Sequence, residues 1–178
     1  VYEELWRPME TILNDSMHEF LRHYGMRMGR NVRKGDIYTA SKGEFEKSKN
    51  AADVRERLAE MKLAGSCYQK FLKPDEEGNS RISAKLRGIQ ELDSTVAYPL
   101  LVRLYRGWQK ESLSLAVFVH CLDSLESFYV RRLVCGVPTN ALNKITLELC
   151  LNLPDEGQSQ WVRDKLNQGS GRPALAQG

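Results

Sequence analysis

The chain has 178 residues, of which 42% are apolar and 28% charged, with a formal net charge of +3; this balance excludes the low-hydropathy, high-charge class that stays disordered. Such a length supports one substantial domain that buries roughly 70% of its unfolded surface without disulfide or metal staples. Apolar runs such as Leu113 to Cys121 are interrupted by Ser114, His120 and Asp123, well short of the roughly 20 residues a bilayer span needs, so no membrane partner is expected.

Helical periodicity begins at once. Leu5, Met9 and Ile12, then Met17, Phe20, Leu21 and Tyr24, recur at three- and four-residue spacing, with Pro8 in a first turn where its missing N–H is harmless. The stretch from Gly25 to Asp36 is basic and punctuated by glycine, and is expected to be a loop; a short helix from Ile37 to about Ser48 follows. Asn50 is a candidate N-cap with Asp53 three residues on, opening a helix whose stripe runs through Val54, Leu58, Met61, Tyr68 and Phe71 to about Lys73. After the polar loop Pro74 to Asn79, the period restarts at Ile82, Leu86 and Ile89, and Pro99 separates it from a helix over Val96 to Trp108. The clearest segment is Ser112 to Cys135, with an expected apolar face of Leu115, Phe118, Val119, Leu122, Leu125, Tyr129 and Leu133. Arg131, Arg132, Gly136 and Pro138 mark its C-terminus. Thr139 is the expected cap of the next helix, whose Leu142, Ile145 and Leu149 face inward, and a further short helix is expected over Gln160 to Leu166.

No sustained alternation or hairpin turn signals a strand. The expected fold is therefore all-α, an irregular bundle of about six to eight helices without significant sheet. Its helical domain spans residues 1–153, followed by a short helix and linker over 154–178 that lead toward a further domain. The opening residues Val1 to Arg7 carry two glutamates and no initiator Met, so the chain reads as part of something longer, without a signal peptide.

Chemistry is sparse along this chain. Cys67, Cys121, Cys135 and Cys150 are far apart with no C-x-x-C pair, which points to buried thiols in a reducing, cytoplasmic compartment. His18 and His23 are five apart and fall on different helix faces, so neither they nor His120 form a metal-binding pair. Asp123 and Glu126 are one helical step apart, a spacing that suits ion pairing with nearby arginines better than a shared metal. Tyr68, Phe71, Phe118 and Phe128 fit a core at their helical spacing rather than a base-stacking platform. Gly25-Met26-Arg27-Met28-Gly29 lacks the further Gly, Lys and hydroxyl of a phosphate loop. No catalytic or metal residue is assigned. What stands out is the acid-free run Arg22, Arg27, Arg30, Arg33 and Lys34, a pattern able to neutralise phosphates or simply to form a solvated loop.

Several stretches in a fixed order resemble the helical region of the GmrSD-type modification-dependent restriction endonucleases, which pair a ParB-like N-terminal domain with a C-terminal His-Asn-His nuclease domain. Phe20-Leu21-Arg22-His23-Tyr24, the basic loop and Asp36-Ile37-Tyr38 are similar to that family's helix, loop and aromatic-led helix. Tyr98-Pro99-Leu100-Leu101 with Leu104-Tyr105 is similar to its Tyr-Pro helix. The most distinctive run is Leu125 to Gly136, with its Val-Arg-Arg and Cys-Gly elements, followed by Thr139-Asn140-Ala141-Leu142-Asn143-Lys144. Gly25 and Ser41 depart from the larger apolar residues usual there. The resemblance implies flanking ParB-like and nuclease domains that use a nucleoside triphosphate and a divalent metal; this chain itself holds no cofactor and lacks both domains' motifs. It would be a non-catalytic scaffold between them, with Arg27, Arg30, Arg33, Lys34, Arg131 and Arg132 as candidates for DNA-phosphate or interdomain contact. The alternative is a stand-alone helical module that binds a protein partner, a second copy of itself, or DNA.

Overall fold

The computed structural model describes residues 1–169; the side chain of Asn140, and the tail expected to fray or lead into another domain beyond residue 169, lie outside the described residues. A π-helical turn over Tyr2–Trp6 runs into a short α1 (Arg7–Leu13), and eight helices of ten residues or more follow: α2 (Met17–Met26), α3 (Ile37–Glu46), α4 (Ala51–Leu72), α5 (Ser80–Glu91), α6 (Tyr98–Gln109), α7 (Leu115–Val134), α8 (Leu142–Asn152) and α9 (Gln158–Gly169). Among the described residues there is no strand, and no helix is long and apolar enough to cross a membrane. The fold is all-α, as expected.

Local chemistry sets where these helices begin. The Asn50 side chain accepts the Asp53 N–H at 2.9 Å while Asp53 takes the Lys49 N–H at 3.0 Å, so two otherwise orphan donors at the start of α4 are satisfied reciprocally. Asn79 takes the N–H groups of Arg81 and Ile82 at the start of α5, and Ser114 takes that of Val117 at the start of α7. Pro99 lies in the first turn of α6, where no donor is lost. At the far end of α7, Gly136 adopts φ +61; the Gly136 and Val137 N–H groups return to the carbonyls of Leu133 and Arg132 at 3.2 and 3.0 Å, a left-handed cap that suits glycine.

Helix α6 lies at the centre, packed against α2, α4, α7 and α8, while α5 and α9 cover α7, α1 covers α4, and α3 covers α2. Rings pass through this core in an unbroken series: Phe20 to Tyr68, Tyr68 to Tyr98 and Phe71, Phe71 to Tyr105, and Tyr105 to Trp108 and Phe118, with centroids 5.2 to 5.9 Å apart. Edge-on and tilted arrangements dominate, which suits the ring quadrupoles. The aromatics read as core from their spacing are core.

Four local expectations are corrected. The helix after Pro138 starts not on a Thr139 cap but after a 3-10 turn over Thr139–Ala141. Leu133, expected on the inward face of α7, is 70% exposed, whereas its neighbour Arg132 and Phe128 are buried. Cys135 is exposed beside it, unlike the other three thiols. The boundary drawn at residue 153 falls inside the bundle: α9 packs along α7 and contributes Val162 and Leu166 to the common core.

Met26, Val32 and Ile37 form a small second core beneath the basic loop. Gly29 closes that loop onto α8 with φ +83, and a Cβ there would lie 2.5 Å from Leu151 Cβ and 2.8 Å from its Cα. The Gly29→Ala variant should therefore lose about 2 kcal/mol or more in urea unfolding, whereas Gly136→Ala, with open space around it, should lose only the left-handed backbone cost of about 1 kcal/mol. Equal losses would mean that the loop does not press on α8.

Candidate functional site

The cations singled out in the sequence divide into two groups. Arg27 stacks 3.6 Å from the Tyr24 ring centroid, donates to the Tyr24 carbonyl at 2.6 Å and pairs with Glu44 at 2.9 Å. Arg22 holds the other end of the loop, donating to the Val32 carbonyl at 3.0 Å and to Glu19 at 3.2 Å. Arg132 is 6% exposed, lies over Phe128 and donates to the Pro138 carbonyl; it fastens the turn after α7 and faces away from solvent. These three act within the fold.

Arg30, Arg33, Lys34 and Arg131 are exposed. Lys34 approaches Glu19 at 3.6 Å; among the described residues Arg30 and Arg33 have no carboxylate at ion-pair distance. The loop and α8 wall one shallow groove of about 500 Å³, lined by Gly29, Asn31, Asn143, Lys144, Glu148 and Leu151. Arg131 stands elsewhere, in a polar cleft of about 340 Å³ between α7 and α9 that also holds Ser127, Ser159, Arg163 and Asn167. Sequence reading missed Arg163, whose helix was taken as a polar flank.

The remaining reactive groups are committed inside the fold. Burial pushes the Cys67, Cys121 and Cys150 thiols up to about 12, which leaves them protonated and unreactive. Asp123 and Glu126 do pair, but with Lys85 of α5 at 2.8 and 2.9 Å rather than with an arginine. Glu77 is buried below Tyr105, which donates to it; Lys70 pairs with it at 3.0 Å and the Asn79 N–H reaches it at 2.9 Å. Burial alone would raise this carboxyl, but those donors hold it below the usual carboxylate range. Glu60 likewise takes both Arg106 Nε and Nη2 at 3.0 Å and Lys110 at 3.0 Å. Among the described residues no three of His, Cys, Asp and Glu are grouped to hold a metal ion.

His23 is sealed between α2, α4 and α6, 4% exposed. Its Nδ1 lies 2.8 Å from the Tyr68 hydroxyl, the Tyr98 ring stands edge-on at 5.8 Å, and Glu19 is 3.9 Å from Nε2. Burial, reinforced by Arg22 and only partly opposed by Glu19, lowers its pKa from 6.5 to about 4. The phenol, whose own pKa burial raises, shares one hydrogen bond with the neutral ring, its direction set by the imidazole tautomer.

Below pH 6.5 the unfolded chain takes up a proton that the folded imidazole refuses until about pH 4. Stability is thus undiminished above that window and falls as pH drops through it, by on the order of 3 kcal/mol. His23→Gln, which keeps a hydrogen-bonding group for Tyr68, should flatten the urea-unfolding profile between those limits; an unchanged profile would assign the acid sensitivity to the carboxylates instead.

Compared with protein-family models, with curated proteins and with solved structures, the chain matches none.

Proposed function

We propose that this chain is a non-catalytic helical scaffold of a DNA-targeting, modification-dependent restriction endonuclease, standing between a ParB-like domain and a His-Asn-His nuclease domain in the cytoplasm. The observation that carries the reading is the exposed basic loop, held rigidly against α8, whose Arg30 and Arg33 have no carboxylate partner among the described residues while Arg22 and Arg27 brace its base. Cations without acidic partners on a braced loop suit phosphate contact, because their charge is not already neutralised. The ordered run from Leu125 to Lys144, which forms the end of α7 and the start of α8, gives the family reading its support. The sealed histidine and the three buried thiols fit a scaffolding role, with the nucleotide and the divalent metal held by the flanking domains. Replacing Arg30, Arg33 and Lys34 together by alanine should weaken binding to a DNA duplex and reduce the slope of log affinity against log salt by about 2 to 3. An unaltered slope would remove the loop from the DNA interface.

A second reading, a stand-alone interaction module, is favoured by one feature. An open apolar groove of about 840 Å³ runs between the N-terminal turn, α2 and α3, lined by Trp6, Leu21, Ile37, Tyr38 and Phe45, and Tyr38 there is 78% exposed. Apolar grooves of this kind receive a partner's side chains. If a second copy fills it, sedimentation of the chain should become concentration-dependent and Tyr38→Glu should abolish that dependence; a sedimentation coefficient independent of concentration excludes self-association through the groove.

A further inference from the structure

The cleft between α7 and α9 brings together two guanidiniums that meet neutral oxygens. Six others meet carboxylates: Arg7 with Glu3, Arg22 with Glu19, Arg27 with Glu44, Arg55 with Glu4, Arg87 with Asp75 and Arg106 with Glu60. In the cleft, Arg131 is held by two neutral groups, Ser127 Oγ and Asn167 Oδ1, each at 3.1 Å. Arg163 donates to the side-chain amide oxygen of Gln160. Gln160 in turn gives its amide to Asp164 at 2.8 and 2.9 Å, which keeps that carboxylate occupied on α9. The acid lining the cleft, Asp123, pairs across the α5 interface with Lys85 at 2.8 Å, a lysine it shares with Glu126 at 2.9 Å. Two guanidiniums therefore converge on one concavity with no carboxylate assigned to either among the described residues.

Donors surround them. Ser127 accepts from Arg131 and keeps its own proton available; Asn167 accepts through its oxygen and keeps its amide; the Ser159 hydroxyl has no hydrogen-bond partner among the described residues and lies in the first turn of α9, where backbone N–H groups also lack helical partners. Two guanidinium forks without a carboxylate partner and hydroxyl donors in one cleft are the complement of a tetrahedral oxyanion. Its volume of about 340 Å³ exceeds what a bare phosphate fills and admits a phosphoryl group with the sugar it is attached to.

We infer that the α7–α9 cleft is a binding site for a phosphate oxyanion, held by Arg131 and Arg163 with Ser127, Ser159 and Asn167 as supporting donors. The site stands on its own geometry, apart from the basic loop and from any restriction activity, and its charge suits either a nucleic-acid phosphodiester or a free phosphorylated metabolite.

Inorganic phosphate is the direct probe. Titrated into the full chain at ionic strength held constant with chloride, it should shift the amide resonances of Ser127, Arg131, Ser159 and Arg163 and saturate. The double variant Arg131→Ala/Arg163→Ala should bind roughly tenfold or more weakly, the loss expected for charge-assisted hydrogen bonds; both side chains are exposed, so the circular dichroism and thermal midpoint should not change. Ser159→Asp, which keeps both guanidiniums and sets a carboxylate against them, should weaken binding similarly. Addition of a short DNA duplex separates the two sources: displacement of phosphate identifies a phosphodiester as the occupant, and retention identifies a small phosphorylated ligand, both within the inference. No saturating shift beyond that caused by chloride, or a double variant that binds phosphate as tightly as the parent chain, overturns it. Because the phosphate titration needs no DNA, its failure is distinguishable from a failure of the loop's proposed DNA contact.

Discussion

The bundle depends on α6 being buried on nearly every side. Tyr98 to Arg106 is almost continuously enclosed, so each polar group on this helix must find a partner inside the fold, since an unpaired buried donor or charge is costly. Three side chains meet that demand in three directions. Arg103 donates to the carbonyls of Cys150 and Leu153 at the open end of α8, where a cation also suits the negative helix terminus. Tyr105 donates to Glu77 in the turn before α5, with Lys70 of α4 completing the group. Arg106 makes a two-pronged contact with Glu60 of α4. The apolar face of α6 would tolerate small rotations; these three contacts do not, because turning the helix would strand a buried charge.

That constraint explains which parts of the fold were legible in the sequence. Helix existence follows from local periodicity, and helix starts from residues whose own side chains cap them: Asn50 and the Gly136 stop were readable because the chemistry lies within four residues along the chain. Glu77 was not. In the sequence it belongs to an acidic, solvated-looking loop, and only the arrival of Tyr105 and Lys70 from other helices makes a buried carboxylate there. The α9 boundary failed for a related reason: Trp161, Val162 and Leu166 are a few apolar positions in a polar surround, and their significance depends on α7 lying alongside them.

The basic residues carry the same lesson more sharply. Arg131 and Arg132 are adjacent in sequence and about 100° apart around the helix axis, so they face different surroundings by necessity. Which one is enclosed depends on the turn to Pro138 folding back over Arg132, and on α9 lying beside Arg131. Likewise Arg27 and Arg30 share a run that reads as uniform charge, yet Arg27 meets Glu44 from α3 while Arg30 meets solvent. Composition identifies a basic segment; the tertiary partners decide which of its charges remain available.

Sorting cations by partner is therefore the step that connects this fold to a function. A guanidinium whose charge is already met by a carboxylate adds little attraction for an incoming phosphate, because binding must first break the internal pair. Arg22, Arg27 and Arg106 are spent in this sense on the loop base and the core. Among the guanidiniums without a carboxylate, two pairs stand on separate surfaces, Arg30 and Arg33 on the loop and Arg131 and Arg163 in the α7–α9 cleft. The loop cations are exposed to solvent, whereas the cleft is concave and rich in neutral donors, suited to one anion held in place.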